Sequence, residues 1–262
     1  NAFSINSGRD ISFYEDTGTT AKMVWKSSDE RLGIGTSSPT GPLHVSGSTS
    51  TVPIKIDNTG TGGDTWRIWS TNDAASDGGG KLGFYNEDTA TRAMTLDSSG
   101  SVGIGTSSPA QPLHIHTDTV NGPSFIRATE GDGGDPDTGV IFGYEGDGNY
   151  FTIKGINEGT VSSDHFVVVR DSGNVGIGVI PESWLSTYIA LQIGDAGSVV
   201  GSSDNSFVAV GANAYLDSTH SRYEYINTDY ATQYYQVDGT HVWRTAASGS
   251  ADAAISWSEA MR

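Results

Sequence analysis

The chain has no cysteine, which removes disulfide staples and thiolate metal sites from the means of holding it together. Basic residues are scarce: 14 Lys and Arg face 31 Asp and Glu, a formal charge of -17. Nucleic acid is thereby excluded as an expected partner, because phosphate affinity rests on Lys and Arg displacing counterions. The same balance disfavours an anionic membrane surface. No apolar run approaches the ~18 residues of a membrane-spanning helix; the longest of note, Phe166-Val-Val-Val169, reads as a strand. A sustained helical period is also missing. The single helical candidate is Pro181 to Thr187, where proline sits early in a short turn.

Apolar residues are few as well, at 35%, lean for a self-contained core. Aromatics nevertheless reach 10%, too many for a disordered chain of this polarity. A chain with too little apolar material to close alone, yet too many rings to leave wet, is expected to finish its core with partners.

What the sequence does have is a repeat. Leu32-Gly-Ile-Gly-Thr-Ser-Ser-Pro39, then Pro42-Leu43-His44-Val45, returns as Val102-Gly-Ile-Gly-Thr-Ser-Ser-Pro109 and Pro112-Leu113-His114-Ile115. A third copy begins Val175-Gly-Ile-Gly178 and drifts into Val179-Ile-Pro181, about five residues longer before Leu191. Material upstream recurs too: Phe13-Tyr14 before Met23 matches Phe84-Tyr85 before Met94. Ala260-Met261 begins a fourth round, so the chain reads as a segment of a longer polypeptide or a processed product. Self-similarity at a fixed period predicts serial units in a line. The boundaries fall at 1–47, 48–117, 118–194 and 195–262, the last divergent and a candidate knob.

Short runs rich in Val, Ile, Phe, Tyr and Thr alternate with Gly, Asp, Asn and Ser clusters, which predicts an all-β chain. Expected strands include Ile11–Tyr14, Ala21–Trp25, Thr65–Trp69, Lys81–Tyr85, Tyr150–Lys154 and Ala231–Val237. Asp97-Ser-Ser-Gly100, Gly146-Asp-Gly-Asn149, Asp171-Ser-Gly-Asn174 and Asp238-Gly239 mark turns. Ser70 to Gly80 and Glu130 to Thr138 read as exposed loops, where binding tends to reside.

Gly33-Ile-Gly35 resembles the start of a dinucleotide-binding loop, but that loop must lead into a helix. Here Pro39 and Pro42 follow. The structural reading is that Gly33, Gly35, Gly103, Gly105, Gly176 and Gly178 permit close backbone approach while Ile34, Ile104 and Ile177 are buried at a crowded axis. The Gly- and Asp-rich runs Glu130–Asp137 and Glu145–Asn149 lack the spacing of a calcium loop. Carboxylate pairs such as Glu87/Asp88 or Glu224/Asp229 would serve a glycosidase only across a defined cleft. Trp66, Trp69, Tyr223, Tyr225, Tyr230, Tyr234, Tyr235 and Trp243 divide between core packing and sugar-stacking platforms.

The Gly-Ile-Gly-Thr-Ser-Ser-Pro stretches with their Pro-Leu-His-Val/Ile sequels, preceded by Met94-x-Leu96-Asp-Ser-Ser-Gly100, resemble the repeats of tailed-bacteriophage tail fibre proteins. The resemblance implies an elongated parallel homotrimeric fibre, built of β-rich repeats about a threefold axis. It implies a place in the virion's tail fibre and partnership with other phage tail or baseplate proteins and with a host surface glycan or protein. It implies no enzyme activity and no cofactor. Within such a trimer the strand pair His114 and His116 would point to one face and offer a metal ring as an alternative. Their counterparts His44 with Ser46, and Gln192 with Gly194, fit an ordinary polar strand position instead. Two other readings compete: a tailspike glycanase degrading host polysaccharide, and a bacterial surface adhesin of similar repeat design.

Overall fold

A computed structural model describes residues 2–15, 18–117, 122–130, 138–204 and 206–262. Glu130 and Thr138 pair with each other at strand ends; the rest of that expected loop, 131–137, lies outside the described residues. The chain is all-β, with no helix among the described residues. It divides into two compact units, Asn1–His116 and Thr117–Arg262.

The first unit holds two sheets. One orders β1 (Phe3–Ile5), β2 (Ile11–Tyr14), β3 (Ala21–Lys26), β4 (Arg31–Ile34) and β5 (Leu43–Val45) consecutively. The other runs from β6 (Thr51–Asp57) through β7 (Thr65–Thr71), β8 (Leu82–Asn86), β9 (Thr91–Leu96) and β10 (Val102–Ile104) to β11 (Leu113–Ile115). Each is an antiparallel meander until its last step, which is parallel: β4 with β5, and β10 with β11.

The second unit repeats this plan and extends it. β12 (Ser124–Glu130), β13 (Thr138–Glu145), β14 (Tyr150–Asn157), β15 (Thr160–Val169) and β16 (Val175–Ile177) meander, and β17 (Tyr188–Ile193) joins β16 in parallel. The sheet then continues through β18 (Gly197–Ser202), β19 (Phe207–Ala212), β22 (Asp229–Val237), β23 (Thr240–Gly249) and β24 (Ser258–Met261). Between β19 and β22 the chain leaves the sheet and forms the small hairpin β20 (Tyr215–Leu216) and β21 (Tyr223–Glu224).

The turns follow their residues. Gly100 and Gly173 have φ of +83° and +73°, and at the β22–β23 hairpin Asp238 and Gly239 are both left-handed, the geometry that matches strand twist.

One expectation needs correction. Pro181 to Thr187 is not helical: it is the elongated third crossover, where Trp184 makes an isolated bridge to Asp217, so tertiary pairing outweighs a weak local preference. Ser70 to Gly80 is a largely exposed loop from Asn72 onward, as expected, with Ser70 and Thr71 completing β7; Thr71 donates its hydroxyl to the Gly78 carbonyl at 2.8 Å, and Arg92 and Lys81 both bond Asp77.

Candidate functional site: an open apolar sheet face

The parallel step explains the glycine repeat. Strand β4 must return beside itself through only the residues between Ile34 and Leu43, so the crossover folds directly over Gly33, whose partner is His44. A Cβ on Gly33 would overlap the carbonyl oxygen of Thr36, on Gly103 that of Thr106, and on Gly176 that of Val179. The second glycines, Gly35, Gly105 and Gly178, sit at φ of +72°, +73° and +72°, where an L side chain is strained.

His44 and His114 belong to the same device. Nδ1 of His44 accepts the crossover N–H of Thr40 at 3.4 Å, and Nδ1 of His114 accepts that of Ala110 at 3.3 Å. Gln192 stands in the third copy and accepts the Glu182 N–H at 2.9 Å through Oε1. The polar residue therefore ties the crossover to its strand in all three. His116 lies edge-on to His114, with ring centres 5.7 Å apart.

On the opposite face of each sheet, cross-strand register aligns large apolar side chains into rows. In the first sheet, Phe3, Phe13, Met23, Ile34 and Val45 face one another in order, as do Ile5, Ile11, Trp25, Leu32 and Leu43. The second sheet repeats the first row as Ile54, Ile68, Phe84, Met94, Ile104 and Ile115. The third gives Ile126, Phe142, Ile153, Phe166, Ile177 and Ile193. The neighbouring row in this unit runs on through Val199, Val210, Tyr234 and Trp243 to Met261.

These rows are uncovered within the chain. Ile34, Ile104 and Ile177 keep equivalent places and expose 42%, 39% and 43% of their surface. In total the chain exposes 15378 Å². Closed globules would expose about 11,000 Å² as one body of this mass, or about 13,200 Å² as two bodies of half the mass. The surplus over the larger figure is about 2,200 Å². Rows of exposed large apolar side chains of this kind mark an interaction surface.

The faces opposite the rows are polar or covered. In the second sheet Arg67 lies between Trp69 and Tyr85, 4.7 and 4.8 Å from their ring centres. Glu87 ion-pairs with Arg67 at 2.8 Å and also with Lys55, while Asp88 accepts the Thr65 N–H in a turn. In the second unit, Trp184 of the third crossover and, after Ala212, Tyr215, Leu216 and Ile226 cap the sheet by covering Ala190, Val200 and Ala209.

A carboxylate cluster, which sequence reasoning missed, holds that cap. Buried Glu224 receives Arg222 Nε at 2.8 Å and the Tyr215 hydroxyl at 3.2 Å, and the same hydroxyl lies 3.3 Å from Asp252. His220 Nδ1 stands 2.9 Å from Asp217 and 3.0 Å from Glu224. Burial pushes the Tyr215 hydroxyl upward, with Glu224 and Asp252 adding to it. Burial also raises the Glu182 carboxyl, reinforced by Asp252 and Asp217. Asp217, His220 and Glu224 are the only three such ligands within mutual reach among the described residues; Asp217 Oδ2 and both Glu224 oxygens accept from protein donors. Asp229, the other half of an expected pair, bonds its neighbour's amide at Tyr230. The signal that would have found this cap is the length of the fourth repeat.

The expected aromatics divide. Trp69 and Tyr225 are buried, Trp66, Tyr234 and Trp243 lie on the apolar face, and Tyr230 is exposed.

No protein-family model matches the chain, and no curated protein matches it at a significant level.

Proposed function

We propose that this chain is a structural, non-enzymatic segment of a bacteriophage tail fibre, in which three copies bury their apolar faces against one another. The observation that supports it is the recurrence of one apolar row at three successive repeats, with Ile34, Ile104 and Ile177 at the same place in each. A single docking site would need such a row once. Its repetition fits an assembly that runs the length of the chain, as a rod does.

Three-fold closure puts nine such isoleucines on the axis and turns the polar faces, with Arg67, His114 and the capping hairpin, toward solvent. The total charge of -51, three times -17, favours solubility at some cost in self-repulsion. The work of the assembly is mechanical and adhesive: to extend from the virion, joined to other tail or baseplate proteins, and to present its outer face to a host surface glycan or protein.

Light scattering after gel filtration tests this. The expected mass is 82.5 kDa, three times 27.5 kDa, with a hydrodynamic radius too large for a sphere. A monomer at all accessible concentrations refutes it. Release of oligosaccharide from host polysaccharide would instead support the glycanase reading.

A further inference from the structure

The two units differ in how much core each makes for itself. Of eighteen buried apolar side chains among the described residues, only Val24 and Trp69 belong to Asn1–His116, and sixteen belong to Thr117–Arg262. Both clusters of mutually packed buried residues lie in the second unit.

The cause is the number of layers. In the second unit the row Ala190, Val200, Ala209 and Tyr235 is covered by Trp184 and the hairpin β20–β21, so this sheet has a second layer before any partner arrives. In the first unit each sheet is one layer. Its polar face is closed locally by the crossover and by Trp69 lying across Gly83, and its apolar face has no intrachain cover. A single layer with one bare apolar face is not a stable domain, because sheet stability requires that face to be buried.

We infer that Thr117–Arg262 folds within one chain and presents a preformed apolar face to further copies, whereas Asn1–His116 acquires its structure only on association. The second unit thereby seeds assembly and sets the register for the first. This rests on the self-association proposed above. The kind of partner is a second copy of this chain, since Ile177 and Ile193 on the seed continue the pattern of Ile34 with Val45 and Ile104 with Ile115.

Pulse-labelling hydrogen exchange during refolding of the full chain from guanidinium tests it, with scattering mass recorded on the product. The expected result is that amides of β17 to β19 and β22 to β23 gain protection at a rate independent of protein concentration. Amides of β3, β4, β9 and β10 then follow, at a rate that rises at least tenfold for a tenfold rise in concentration. Protection of the first unit at a concentration-independent rate, with or before the second, overturns the inference whatever the final mass. A monomeric product with only the second unit protected supports the inference while refuting the trimeric rod. A trimer in which both units gain protection together in a concentration-dependent step overturns the inference and leaves the rod standing.

Discussion

Ile104→Asp separates an apolar face that is covered by partners from one that is merely exposed. In the single chain Ile104 is 39% exposed, so aspartate there already forfeits the buried remainder of the isoleucine, about 1–2 kcal/mol, before any partner is met. Fully burying an isoleucine stabilises by about 1.5–3 kcal/mol. The exposed fraction therefore leaves about 0.6–1.2 kcal/mol per chain to be gained on assembly, or about 2–3.5 kcal/mol over three copies. Aspartate forfeits that and adds a desolvation cost of several kcal/mol for each carboxylate taken out of water. Assembly is expected to weaken by on the order of 10⁴-fold or more.

Sedimentation velocity over a hundredfold concentration range reads this directly. Ser108→Asp is the control: it adds the same charge four residues away, on the exposed crossover and off the apolar face. The expected outcome is that Ser108→Asp sediments as the parent while Ile104→Asp sediments as a 27.5 kDa species. Parent-like assembly by Ile104→Asp would show that the face is not covered, and the reasoning from row register would fail.

Three further outcomes follow from the crossover and the cap. Gly105→Ala meets both a left-handed φ and the carbonyl of His116, whereas Gly100→Ala meets a left-handed φ in open space. The second should cost about 1–2 kcal/mol and the first clearly more, so equal melting temperatures would refute the close-approach account. His114→Gln should retain parent stability because Gln192 already performs this role, while His114→Leu should lose about 1 kcal/mol with the crossover amide's acceptor; equal losses for both would contradict it. The Glu182 carboxyl is raised by burial first and by Asp252 and Asp217 next. Its folded form then holds more protons than the unfolded chain between the ordinary glutamate pKa and the raised one, so stability rises as pH falls through that window, and the penalty is complete above the raised pKa. Glu182→Gln should raise the melting temperature at pH 7 and lose that advantage in acid; no gain at pH 7 would refute the assignment.

Much of the strand pattern was legible because a half-buried strand writes its burial at period two. Ile11–Tyr14 was read at its observed bounds, and Thr65–Trp69 within two residues of them. The strands at Phe3–Ile5 and Gly197–Ser202 escaped because their residues are too few or too small to carry the period. The glycine motif was read as a close approach without its cause. That cause is a parallel step made by a short crossover, and parallel or antiparallel partnership is a relation between strands that no local sequence states.

The sequence by itself determined the all-β class, the period of the repeat, the glycines at the close backbone approaches, and the low share of apolar residues. These are local or compositional properties, carried by side-chain size, charge and backbone freedom. Only the tertiary structure decided which residues share a face, because cross-strand register brings Phe13, Met23 and Ile34 into one row from distant places in the chain. It alone also decided that the fourth round carries a cap pinned by Glu224 and Asp217, because buried carboxylates become distinctive only through the Arg222, Tyr215 and His220 donors that folding brings to them.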